Sequence, residues 1–204
     1  MQPLVSHANP MHAGEMASDA DLVARARRDP RAFGELFDRY WNDIFKFCYY
    51  RLGDWHRAED IASQVFLEAM SSLAGFDPRD RDDSFRAWLF GIARNVTASA
   101  IRTAQQHPTA PLENASAVED GSISPEEHAV VADELDRLRQ LLAQLTPEQQ
   151  ELVELRLAGL TSLEIAQVLG KSPVAIRKAQ SRAVFALRAL LDAEYSQSGG
   201  GSHA

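Results

Sequence analysis

At four places where a helical pattern opens, a residue with a capping oxygen stands directly before proline: Asp29-Pro30, Ser124-Pro125, Thr146-Pro147 and Ser172-Pro173. An oxygen at the N-cap satisfies backbone N–H groups that the first helical turn leaves free. Proline in that turn gives up nothing, because its N–H would have been unpaired anyway. Glu127 and Gln149 stand three residues after Ser124 and Thr146 and complete capping boxes, and Thr161 with Glu164 makes another. Strand signals are weak beside these, so the chain is constrained to an all-α fold.

The apolar residues obey the same constraint. Phe33, Leu36, Phe37, Tyr40, Trp41, Ile44, Phe45, Cys48 and Leu52 recur at helical spacing. So do Ala58, Ile61, Ala62, Val65, Phe66, Ala69, Met70 and Leu73, and then Phe85, Trp88, Leu89, Ile92, Ala93 and Val96. Each set fits a period of 3.6 and reads as one buried helix stripe. With a short helix over 19–28 these make a four-helix, aromatic-rich N-terminal bundle. In the second half helices are expected near 126–144, 147–158, 162–169 and 173–194. Hydrophobic residues are 45% of the chain, enough for a core in each half.

The formal charge of −8 is not spread evenly. Between Arg102 and Arg137 there is no Lys or Arg, while Glu113, Glu119, Asp120, Glu126, Glu127, Asp133, Glu134 and Asp136 supply eight acids, the whole of the net charge. Part of this interval, TAQQHPTAPLENASAVEDGSIS, has loop composition and no periodicity, and its length is unusual inside one compact domain. The chain therefore divides into an N-terminal arm (1–17), a first helical domain (18–104), a flexible acidic linker (105–125), a second helical domain (126–195) and a Gly-rich tail (196–204).

Several function classes are disfavoured. No run approaches the ~20 apolar residues that cross a bilayer, so no membrane insertion is expected. The N-terminus lacks the basic start and apolar run of a signal peptide, which points to the cytoplasm. Cys48 is the only cysteine, which rules out an internal disulfide, and the six histidines have no metal-ligand spacing. There is no P-loop, nucleophile elbow or paired-glycine fingerprint, so neither an enzyme nor a cofactor is expected.

The stretch SLEIAQVLGKSPVAIRKAQ carries a helix-turn-helix pattern. Ala166 is small where two helices cross, Gly170 suits a turn with positive φ, and Ile176 anchors the second helix, with Ile165 and Leu169 at the remaining core positions. The second helix then presents Ser172, Val174, Ala175, Arg177, Lys178 and Ser181 for a major groove, and Arg182 and Arg188 for phosphate. No acid falls between 165 and 191, as a helix facing a polyanion requires.

AEDIASQVFLEAM (58–70) followed by SFRAWLFGIARNVTASAIR (84–102) resembles domain 2 of a bacterial sigma factor, and residues 142–191 resemble domain 4. With nothing resembling domains 1 or 3, the chain is similar to the extracytoplasmic-function (ECF) group of the sigma-70 family. The resemblance implies a protein that binds RNA polymerase core, directs it to promoter DNA and helps to open it. Domain 2 would hold the minus-10 element as a single strand, and domain 4 would read the minus-35 duplex. On this resemblance Asp60 and Gln64, one helical turn apart, would touch polymerase. Arg79, Arg81, Arg86, Phe90, Arg94, Asn95 and Arg102 would serve the minus-10 strand, with Phe90 lying off the apolar stripe as the aromatic for an unstacked base. Ser172, Val174, Ala175, Arg177, Lys178, Ser181 and Arg182 would serve the minus-35 duplex. The acidic linker would run through the polymerase cleft where RNA passes, and an anti-sigma partner is a possible regulator.

The sequence departs from the family pattern at three places. Only Arg102 follows the ARN segment as a base, Lys171 fills a turn position that is usually apolar, and Ala179-Gln180 replace an Arg and an apolar residue. The Lys171 stem is expected to lie over the core with its ammonium in water. The alternative reading is a stand-alone helix-turn-helix regulator acting as a dimer on palindromic sites; a further one is a helical interaction protein that uses no DNA.

Overall fold

The computed structural model describes residues 17–76, 85–106 and 135–198, with side chains to 193. The arm at 1–16, the loop with Arg79 and Arg81, the interval 107–134 and the tail from 199 lie outside the described residues. Within them every regular element is helical: α1 (Asp19–Ala26), α2 (Phe33–Leu52), α3 (Trp55–Ser72), α4 (Phe85–Gln106), α5 (135–142), α6 (Pro147–Leu157), α7 (Ser162–Leu169) and α8 (Pro173–Ser198).

The starts at Asp29, Thr146, Thr161 and Ser172 fall where the sequence writes them, the one at Ser124 lies outside the described residues, and two further caps appear at Ser18 and Asp54. Ser18 accepts from the N–H of Asp21, and Asp54 from that of Arg57. Asp29 accepts from Arg31 at a 3-10 turn, Pro30–Ala32, that leads into α2. Thr146 and Thr161 both form complete capping boxes, with Gln149 and Glu164. Each such cap stabilises its helix by about 1 kcal/mol.

Helices α1 to α4 form the first bundle. Leu22, Leu36, Ile44, Cys48, Ala62, Val65, Leu89 and Ala93 are fully shielded from water in its core. Aromatic rings knit it together: Phe33 meets Phe66 edge-on with ring centres 6.4 Å apart, and Phe76 meets Phe85 at 5.8 Å. Such pairs add roughly 0.5–1.5 kcal/mol beyond their buried area. Helices α5 to α8 form the second bundle, around Leu142, Leu155, Leu160, Ile165 and Ile176, all at 0% exposure.

Two expectations from periodicity need correction. Phe90 does not stand off the core: it is 0% exposed and packs edge-on against Phe47 at 5.6 Å. Helix α4 packs on two sides, so it buries more than one stripe. Phe85, Leu89, Phe90 and Ala93 enter the first bundle, while half-buried Trp88, packed on Phe76 and Phe85, and Ile92 also line the groove beside α7. Met70, counted on the α3 stripe, is 47% exposed.

Candidate functional site

The turn between α7 and α8 sets the first surface. Gly170 ends α7 at φ +62°, a left-handed conformation that costs glycine little and a side chain more. Ala166 lies 4% exposed at the helix crossing, and Ile176 is buried beneath the second helix. Lys171 does not simply point into water, as expected from its stem. Its ammonium pairs with the Glu148 carboxylate of α6, which holds that carboxyl below its ordinary range. The pair ties the turn to α6.

Ser172 caps α8: its hydroxyl oxygen accepts from the N–H of Ala175 at 3.2 Å. Val174, Ala175, Arg177, Lys178, Ser181 and Arg182 are all exposed beyond it. Arg177, Lys178 and Arg182 make no ion pair among the described residues, so their charge faces outward. The Ser181 hydroxyl donates back to the Arg177 carbonyl at 3.2 Å. Gln180 turns the other way and accepts from the Ser162 hydroxyl of α7 at 2.9 Å, while Ala179 is buried. The two residues that depart from the family pattern thus belong to the inner side of α8.

On α3, Asp60 and Gln64 are exposed. Leu67 and Met70 continue the same side of the helix, 69% and 47% exposed. The sequence reading missed Leu67 and misplaced Met70. An apolar residue outside the 3.6 stripe was the available signal for Leu67.

On α4 the proposed minus-10 residues divide. Arg102 and Asn95 are exposed. Phe90 is core, unavailable to an unstacked base in this arrangement. Arg86 and Arg94 are engaged by the second bundle. Arg86 Nη2 donates to Asp43 Oδ2 and to the Ala158 carbonyl, each at 2.7 Å. Arg94 Nε donates to Glu151 Oε1 at 2.8 Å. From α2, Arg51 Nη1 reaches Glu154 Oε2 at 3.1 Å and Glu151 Oε1 at 3.3 Å. Glu154 is 1% exposed, and burial pushes its carboxyl up to about 7 against the pull of Arg51 and a hydrogen bond from Gln150. Asn95, Trp88, Gly91 and Ile92 line a shallow groove whose other wall is Gln167 and Val168 of α7.

Among the described residues no group of three or more His, Cys, Asp or Glu is placed to hold a metal ion, and no helix is long and apolar enough to cross a membrane. Two helical bundles in this order, one carrying an outward basic helix after a turn, define a DNA-associated binding protein by their surfaces.

Comparison with known proteins narrows the class. The sigma-70 region 2 model matches residues 36–107, and the sigma-70 region 4 model matches 135–187. The ECF RNA polymerase sigma factor BldN of Streptomyces coelicolor is 36% identical over 190 residues, covering 91% of this chain and 70% of that protein. The ECF sigma factor ShbA of Streptomyces griseus is also 36% identical, over 181 residues, covering 84% of this chain and 94% of its own length. Among solved structures, CnrH in complex with the cytosolic domain of CnrY matches with a TM-score of 0.65 and 28% identity, over 84% of this chain and 96% of that one.

The chain belongs to the ECF group of the sigma-70 family, transcription initiation factors of bacteria. The region 2 match to the N-terminal bundle sets aside the stand-alone dimeric regulator.

Proposed function

We propose that this sigma factor binds RNA polymerase core through α3, captures the minus-10 strand along α4 and reads the minus-35 duplex with the N-terminal half of α8. The observation that carries the last role is the outward face of α8, where Arg177, Lys178 and Arg182 stand exposed beside Val174, Ala175 and the Ser172 cap. A helix end rich in free N–H groups and flanked by unpaired guanidinium and ammonium groups suits a phosphate backbone with base edges between.

Asp60 and Gln64, with Leu67 and Met70 beside them, form a polar–apolar strip on α3 that suits a protein partner. Arg86, Arg94, Asn95 and Arg102 supply the minus-10 side, joined by Arg79 and Arg81 of the preceding loop. The protein acts by binding, with no catalytic residue, metal or cofactor of its own, and works in the cytoplasm. An anti-sigma partner is its natural regulator, in line with the CnrH–CnrY complex.

In vitro transcription with polymerase core and a genomic promoter library tests the assignment. Transcripts from a defined asymmetric promoter set are expected. Core that starts no transcript with this chain, while starting with a housekeeping sigma factor, would overturn it.

A further inference from the structure

Lys171 stands in the turn that leads into α8, one residue before the Ser172 cap. Its ammonium donates to Glu148 Oε1, which belongs to the first turn of α6, 23 positions earlier in the chain. Glu148 also faces a second cation. It shares a shallow hollow between α6 and α8 with Arg182, where Thr146, Gln149 and Ala179 complete the lining. The hydrogen bond and charge of Lys171, and then the charge of Arg182, hold the Glu148 carboxyl below its ordinary range. An ionised acid thus sits between two bases at the edge of the outward α8 face.

The fold has little need of this pair. Both residues are exposed, and an exposed ion pair between long side chains adds little to stability. Thr146 already caps α6 and Ser172 caps α8, so neither helix start depends on it. What the pair does set is local charge. A major groove is walled by phosphates, so a lysine one residue before the end of a helix that enters it lies within reach of them. A phosphate oxygen and a carboxylate oxygen offer an ammonium the same kind of charge-assisted hydrogen bond. Glu148 and the DNA backbone therefore compete for one side chain. Once the lysine leaves, the carboxylate is still faced by Arg182.

We propose that Lys171 is a further phosphate contact for the minus-35 duplex and that Glu148 is its resident competitor, a carboxylate that holds backbone affinity down. On docking, the ammonium passes from Glu148 to a phosphate oxygen, and Glu148 takes up a solution cation in its place. The proposal rests on the reading of α8 as the minus-35 surface.

The test uses holoenzyme assembled from polymerase core and the full chain, bound to a promoter duplex that it transcribes, between about 0.05 and 0.2 M salt. Glu148→Gln keeps the shape of the side chain and loses its charge. It should tighten binding about three- to tenfold at the low end and steepen the salt dependence by about one counterion, so the gain shrinks roughly threefold by the high end. Glu148→Ala, which also loses the charge, should agree. Unchanged affinity and slope in both variants overturn the proposal. Lys171→Ala should weaken binding, and combined with Glu148→Gln it should bring affinity back to the wild-type level or below. A gain that survives the loss of Lys171 overturns the competition. Lys178→Ala in the same series keeps two failures apart. If it lowers the slope while the Glu148 variants change nothing, α8 meets the duplex and the proposal for Lys171 is wrong. If none of these variants changes anything, the reading of α8 falls as well.

Discussion

Arg86 donates through Nη2 to the main-chain oxygen of Ala158, 2.7 Å away and 72 residues later in the chain. The contact falls at a place where the backbone is bare. Gly159 follows at φ +84°, and a β-carbon there would stand 2.7 Å from the same Nη2. Gly159→Ala therefore meets a backbone conformation that side chains avoid, and it crowds the guanidinium end that donates to Asp43 and Ala158. A loss of about 1–3 kcal/mol is expected from the backbone conformation and the displaced Arg86 contact, and thermal denaturation measures it.

Phe90 occupies the core instead of the base-stacking position expected from the sequence. As a core residue it should cost roughly 3–5 kcal/mol of stability when cut to alanine. A Phe90→Ala protein that melts like wild type but fails only at strand opening would contradict its placement against Phe47.

Leu67 stands 69% exposed on α3, so its loss should not disturb folding. Leu67→Asp is expected to weaken polymerase core binding by tenfold or more, while the melting temperature stays within a degree or two. Titration of labelled chain with core reads the first, and calorimetry the second.

Arg177 and Lys178 are predicted to act on phosphate and base edges of the minus-35 duplex. In holoenzyme, Lys178→Ala should weaken promoter binding and lower the salt dependence by about one counterion. Arg177→Ala should do the same or, if it reads a base, relax sequence preference at one position. Filter binding across a salt series distinguishes the two.

Glu154 gives a pH signature. Its folded carboxyl sits near 7, against 4.5 for the free side chain, because burial disfavours the charge. Between those values the folded chain holds more protons than the unfolded one, so stability falls as pH rises through this window and levels off above it. The drop is at most about 3 kcal/mol. Glu154→Gln should flatten the slope and leave the protein at least as stable at pH 8, which urea unfolding at several pH values would measure.

The helix starts at Thr146 and Thr161 were legible because capping is local: each bonds within its own first turn. The helix-turn-helix was legible for a related reason, since Ala166, Gly170 and Ile176 lie close in sequence. The α4 face was only half legible. A helix packed on both sides has no single stripe, and Phe90 fell in the gap between two. The polar contact between the two bundles was not legible at all. Arg51 and Glu154 are 103 positions apart, and each alone reads as part of a solvated face. Leu67 was marked only by its place outside the 3.6 stripe, and its exposure depends on what α3 leaves uncovered.

Cys48 lies fully shielded within the first bundle, and burial pushes its thiol up to about 12. At neutral pH it has almost no thiolate, so disulfide reagents and maleimides find no reactive thiol while the chain is folded. If thiol oxidation governs when this factor works, the sensing thiol has to reside in another molecule.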